Sequence, residues 1–395
     1  MSRKKIFILT TSFLLLVLLV AFIRYRIQDS PEAAIADDYN GYENQDNQPE
    51  PQENEAEPDT AYVPPDTGTY DDSYSPHAPA PNHSSLADTP HGQISMQHIR
   101  HLNNNYYSRF PFSYQEKRAA AWIVQELLAM GYTDADIYVQ EFNLEDVLPF
   151  IRWGRDAMLR SPAINHDYNY FRQTYMSQNV ILTVPGQSSQ VIVVGAHYDT
   201  VLYPGASDNA SGTALLLESA HRMRYIDNYY TIVYIFFGAE EVGLLGAYYY
   251  VNALTDDELG NIMFMVNADV LFEGPYFIYA AGYRENIANM NVGENAITRQ
   301  WDDIAAMLGE RENILLQPYP DGLFLGSDHR VFMDAGLTVM MMYGTYFNPD
   351  GSFYFRVLHS YRDCYHYIME RWPDKIEDAM RTFSVFLEEV LLASY

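Results

Sequence analysis

The chain of 395 residues holds one cysteine, Cys364. A single thiol forms no internal disulfide and leaves no cysteine cluster for zinc. Any metal ligands must therefore be histidine and carboxylate. Basic residues are also scarce: 24 Lys and Arg stand against 52 Asp and Glu, for a formal net charge of -28. Such a field repels polyanions, so no nucleic-acid partner is expected. No Lys or Arg occurs between Arg26 and Arg100, and no internal repeat is visible.

The N-terminus has the opposite character. Arg3, Lys4 and Lys5 precede an apolar run from Ile6 to Ile23, and Arg24 and Arg26 follow it. The run has about the length that crosses a hydrocarbon core. Its end, AFIRYR, is a poor cleavage site. Residues 1–27 are therefore expected to form an uncleaved signal anchor. The charge bias puts the N-terminus in the cytoplasm and the rest of the chain outside. Secretion after signal cleavage is the alternative. Residues 28–92 are rich in Pro, Asn, Gln, Asp and Glu. Such a segment buries too little apolar surface to fold and reads as a disordered, self-repelling tether. The folded domain is expected over 93–395.

In that domain apolar, β-rich runs alternate with helix-like stretches. IYVQEF, NVILTV, QVIVVGAHYDT, TIVYIFFGAE, NIMFMVNADV and LTVMMMYG read as strands. Helical periodicity places Ala120, Ile123, Leu127 and Met130 on one face, and Gly131 ends that helix. Gly212–Met223, Gly243–Asn252, Asn295–Gly309 and His329–Asp334 also read as helical. The alternation predicts an α/β fold, with a mostly parallel sheet covered on both faces. Leu148 to Asn179 is aromatic and irregular and reads as a lid or an insertion.

Several of these runs stop on a His, Asp or Glu: His197 in VIVVGAHYDT, Glu240 and Glu241 in IFFGAEEVGLLG, and Asp269 in MFMVNADV. Asp208 in GASDNASG and His329 in GSDHRVF lie in loops or at helix starts. Ligands bind along the strand-end edge of open α/β sheets. Two imidazoles and three carboxylates can bind two divalent cations, which leaves Glu240 to act as a base. Asp199, two residues past His197, points to the same side of an extended segment and can orient its ring. Taken singly, each residue has a plainer reading. His-x-Asp suits a surface turn, Asp208 an N-cap, the Glu pair a solvated edge, and His329 a helix cap. Buried adjacent carboxylates, however, call for a nearby cation.

Together AHYDT, GASDNASG, GAEEVGLLGA, NADV and GSDH, with a weaker match in HSYRD, resemble the two-zinc aminopeptidase family of bacterial leucyl aminopeptidases. Its relatives include glutamate carboxypeptidases and glutaminyl cyclases. The resemblance covers Ile94 to Leu392. It implies a mixed, mostly parallel sheet of about eight strands, in the phosphorylase/hydrolase-like zinc exopeptidase architecture. It further implies that Asp208 bridges two Zn2+ ions, with His197 and Asp269 on one and Glu241 and His329 on the other. Cobalt or manganese suits the same ligands. Glu240 would be the general base and Asp199 the partner of His197. His359 and Asp363 of HSYRD are expected to pack or wall a pocket. The implied activity is release of N-terminal residues from peptides. A carboxypeptidase, with Arg330, Arg356 or Arg362 clamping a carboxylate, and a one-metal cyclase are the alternatives. A non-catalytic surface domain is a third reading, disfavoured because the ligands and Glu240 are all present.

Overall fold

The computed structural model describes residues 89–147, 174–283, 293–319, 326–349 and 351–395. The expected anchor, the tether up to residue 88 and most of the 148–179 segment lie outside the described residues. Among the described residues no helix is long and apolar enough to cross a membrane.

In chain order the helices are α1 (Gln93–Asn105), α2 (Tyr114–Ala129), α3 (Gly212–Met223), α4 (Leu245–Ala253), α5 (Asp256–Asn261), α6 (Ala296–Glu312), α7 (His329–Asp334), α8 (Tyr365–Arg371) and α9 (Pro373–Leu392). The strands are β1 (Ile137–Phe142), β2 (Ser177–Val184), β3 (Val191–His197), β4 (Thr231–Phe237), β5 (Ile262–Ala268), β6 (Tyr276–Gly282), β7 (Leu316–Pro318), β8 (Thr338–Phe347) and β9 (Phe353–Tyr354). They form one mixed sheet in the order β1-β2-β4-β3-β5-β8-β6-β7, with β9 paired to β8. The four central strands, β4, β3, β5 and β8, are mutually parallel. The outer pairs β1/β2, β2/β4 and β6/β8 are antiparallel. The fold is thus α/β, mixed and parallel at its centre, as the alternation of runs predicts.

Period-two burial explains the layering. Ile192, Val194 and Ala196 of β3 join Ile232, Tyr234 and Phe236 of β4 and Phe264, Val266 and Ala268 of β5 in a core shared with α1, α2, α3, α6 and α9. On the other face Phe237 meets Phe332 of α7 edge-on, and Tyr250 of α4 stacks on the same Phe332 ring. Central strands buried on both sides read as near-continuous apolar runs for this reason. Ser113 caps α2 by accepting the N–H of Glu116, and Gly131 follows that helix with φ 95°. Besides the short β7, β9, α5 and α8, two larger elements escape the sequence reading. One is β6, between aromatic loops. The other is α9, whose Ile376, Ala379, Met380, Phe383, Phe386, Leu387 and Val390 are buried at helical spacing.

The topology also fixes where chemistry can sit. The chain runs from β3 through α3 to β4 on one side, then returns through α4 and α5 to β5 on the other side of β3. The loops leaving β3, β4 and β5 therefore open a crevice at one edge. Gly212 makes the close approach there. A Cβ on it would lie 2.1 Å from the carbonyl oxygen of Ala268 and 2.5 Å from Asn209 Oδ1. Gly212→Ala is expected to lower the unfolding free energy by about 1–3 kcal/mol through overpacking. A urea midpoint equal to wild type would contradict that packing.

Candidate active site

His197 is the last residue of β3, and its side chain is 1% exposed. Its Nε2 lies 3.1 Å from Asp208 Oδ1 and 3.2 Å from Asp269 Oδ1. Asp269 follows β5 directly, and its N–H donates to the carbonyl of Met342 on β8. Asp208 sits in a π-helical turn, Ala206–Ser211, ahead of α3. Glu240 and Glu241 follow β4. Parallel strand ends thus bring four of the expected residues to one edge, and the turn before α3 adds Asp208.

The second imidazole is not the expected one. His359 Nε2 lies 3.0 Å from Asp208 Oδ2 and 3.1 Å from Glu241 Oε2. The sequence reading assigned that seat to His329 and left His359 in the pocket wall; the structure brings the His359 imidazole to these carboxylates instead. His329 is fully buried as the first residue of α7. His359 lies in an irregular turn after β9, with φ 53° and a side chain 44% exposed. No strand or helix periodicity marks such a position. Its available signal was the weak HSYRD match.

The Asp199 carboxylate lies 3.5 Å from His197 Nδ1, and its carbonyl lies 3.2 Å from the same nitrogen. It also accepts the N–H of Glu240 on Oδ1 and that of Glu241 on Oδ2, each at 3.1 Å. It therefore ties the end of β3 to the turn after β4. Asp363 has a similar task. Its two oxygens accept the N–H of Ser207 at 2.6 Å and of Asp208 at 3.0 Å. Arg109, fully buried and unmarked in the sequence reading, donates to the carbonyls of Tyr198, Pro204 and Gly205. Together these groups hold the loop that carries Asp208.

Electrostatics explains what the cluster needs. Burial pushes Glu240 well above the ordinary carboxyl range, and Asp328, Glu241 and Asp269 add to the rise against the opposing pull of His197. Burial and Asp208 likewise raise Glu241. Asp328 is fully buried, with neither oxygen hydrogen-bonded among the described residues, and burial raises it too. Burial opposes charge on His197, yet Asp269, Glu240, Asp199 and Asp208 outweigh it and lift that imidazole well above its ordinary value. Burial also opposes charge on Asp208, but the imidazoles of His197 and His359 hold its carboxyl below the usual range. Acid is in excess, and uncompensated buried charge of one sign is costly.

Divalent cations fit this donor set. His197, Asp208 and Glu241 each offer an atom within 4.8 Å of the others. Imidazole nitrogen and carboxylate oxygen suit zinc. Residues 179–384, just over half the chain, match peptidase family M28.

The chain belongs to peptidase family M28. This M28 peptidase is 43% identical over 82 residues to aminopeptidase YwaD of Bacillus subtilis, a match covering 20% of the chain and 18% of that protein. It is 40% identical over 104 residues to the probable lipoprotein aminopeptidase LpqL of Mycobacterium tuberculosis, covering 25% and 20% respectively. It thus spans about a fifth of the length of these two curated relatives. The solved structure of a zinc aminopeptidase from Bacillus subtilis superposes with a TM-score of 0.58 at 18% identity, covering 77% of this chain and 96% of the other. That likeness is one of fold.

Stripping divalent metal from the M28 domain with a chelator is expected to lower its melting temperature, and added zinc to restore it. Zinc at roughly 100 times its dissociation constant stabilises by about 2.7 kcal/mol. Melting that ignores both chelator and zinc would contradict a cation-compensated site.

Proposed function

We propose that this M28 peptidase is a zinc-dependent aminopeptidase that releases N-terminal residues from peptides outside the cytoplasm. The observation that carries the reading is the division of Asp208. One of its oxygens meets the His197 imidazole and the other meets His359. A carboxylate between two nitrogen donors would be able to hold an ion with each of them. Asp269 completes the seat with His197, and Glu241 completes the seat with His359. We therefore assign two Zn2+ per chain, with cobalt or manganese able to occupy the same ligands.

When bound, zinc supplies Lewis-acid polarisation of a carbonyl and lowers the pKa of water. The chain's own residues do the rest. Glu240, held beside the ligands by the Asp199 clamp on its N–H, takes a proton from water and returns it to the leaving amine. Asp199 holds the His197 ring and the Glu240–Glu241 turn in one arrangement.

Two of the three arginines that could clamp a substrate carboxylate are engaged elsewhere. Arg330 lies 3.6 Å from Asp334, and Arg356 lies over the Trp372 ring at 4.6 Å. This favours the aminopeptidase reading over a carboxypeptidase. The basic-flanked apolar run of residues 6–23 supports attachment to a membrane surface. The name of the Mycobacterium tuberculosis relative, a probable lipoprotein aminopeptidase, points the same way.

Glu240→Gln is expected to retain zinc and to lose about 10²–10⁴-fold in kcat, the usual contribution of a general base. Near wild-type turnover would remove Glu240 from that role. Asp208→Ala is expected to lose bound zinc as well as turnover, read by metal analysis after dialysis. The substrate class is tested with aminoacyl-anilides carrying free or acetylated amines, alongside C-terminal and N-terminal glutaminyl peptides. Release restricted to free-amine anilides is the expected outcome. Cleavage of blocked peptides, or cyclisation of glutamine without hydrolysis, would overturn it.

A further inference from the structure

Glu273 lies in the bend between β5 and β6, and the chemistry above makes no use of it. It is 4% exposed. A single oxygen, Oε2, accepts the N–H of Arg356 at 2.7 Å and the N–H of Val357 at 2.8 Å. The other oxygen, Oε1, is buried and takes no hydrogen bond among the described residues. A buried carboxylate placed to receive two consecutive amides fixes the backbone that carries them.

That backbone leads directly to His359. The carbonyl of Val357 accepts the N–H of Ser360 at 3.1 Å and its hydroxyl at 2.7 Å. The carbonyl of Ser360 accepts the N–H of Asp363 at 3.0 Å. His359 stands inside this turn with φ 53°. A non-glycine residue keeps such a conformation only where its surroundings determine it. At the far end Asp363 grips the amides of Ser207 and Asp208. The turn is therefore pinned by Glu273 on one side and joined to the Asp208 loop on the other.

We propose that Glu273 is a positioning residue for His359. It fixes the 356–363 turn so that the imidazole meets Asp208 and Glu241, and it thereby sets the metal affinity of that seat more strongly than that of the His197–Asp269 seat, which shares Asp208. Glu273 acts by the reach of one acceptor oxygen and not by its charge. The inference rests on the two-ion reading of the site.

The test is a zinc titration of the metal-depleted full chain by calorimetry, comparing wild type with Glu273→Asp and Glu273→Gln. Aspartate keeps the charge and withdraws the acceptor by one methylene. Glutamine keeps an acceptor at full reach and removes the charge. Wild type is expected to take two ions. Glu273→Asp should weaken one binding step about 10-fold or more, the usual effect of losing a group that orients a ligand, and the other step clearly less. Glu273→Gln should keep both steps close to wild type. Two unchanged steps in Glu273→Asp would overturn the proposal, as would equal weakening of both steps. Weakening in Glu273→Gln alone would show an effect of charge and overturn it too. A wild-type chain that takes one ion would remove the two-ion reading, and this inference with it.

Discussion

The crowding of buried negative charge around Asp208 is the constraint on which the rest of the site depends. Asp208, Glu240, Asp269 and Asp328 are all at least nine-tenths buried, and Glu241 joins them with a side chain 5% exposed. Two imidazoles approach from opposite oxygens of Asp208. Water would normally hold such charges apart, and here it is largely excluded. Such carboxylates stay ionised together only with positive charge among them. A metal site is the economical solution, and the imidazole and carboxylate donors select its chemistry.

The scaffold answers this constraint with further acids. Asp199 takes the amides of Glu240 and Glu241, Asp363 those of Ser207 and Asp208, and Glu273 those of Arg356 and Val357. Three buried carboxylates thus each bind two consecutive N–H groups and tie down loops that carry the ligand side chains. Bonds from two successive amides to one carboxyl group are directional and fix the backbone that carries them. They hold loops that have little apolar surface of their own to bury. Arg109 adds the complement by gathering carbonyls of the loop between Tyr198 and Gly205.

The parallel centre of the sheet was legible because its strands are apolar on both faces and stop abruptly on polar residues. His197, Glu240 and Glu241, and Asp269 were visible for that reason, and Asp208 stood out in its small-residue loop. His359 was not. It lies beyond a short hairpin, in a turn held at one end by Glu273 and at the other by bonds from Ser207 and Asp208 to its own Asp363, partners from distant parts of the chain. His329 attracted attention instead because GSDH opens a short helix, where a polar residue at a strand-facing end resembles a ligand. Local pattern shows where the chain turns, but the partner across a turn comes from tertiary packing. The same reason hid Arg109, whose acceptors are backbone carbonyls, and β6, which is recognisable as a strand through its pairing with β8.

The central claim is that two metal seats share Asp208 and that His359, rather than His329, completes the second. Anomalous diffraction from zinc-loaded crystals, recorded on both sides of the zinc absorption edge, tests it most directly. The account predicts two anomalous peaks flanking the Asp208 carboxylate, one within bonding distance of His197 and Asp269 and the other of Glu241 and His359. A single peak, or a second peak bound by His329, would contradict it.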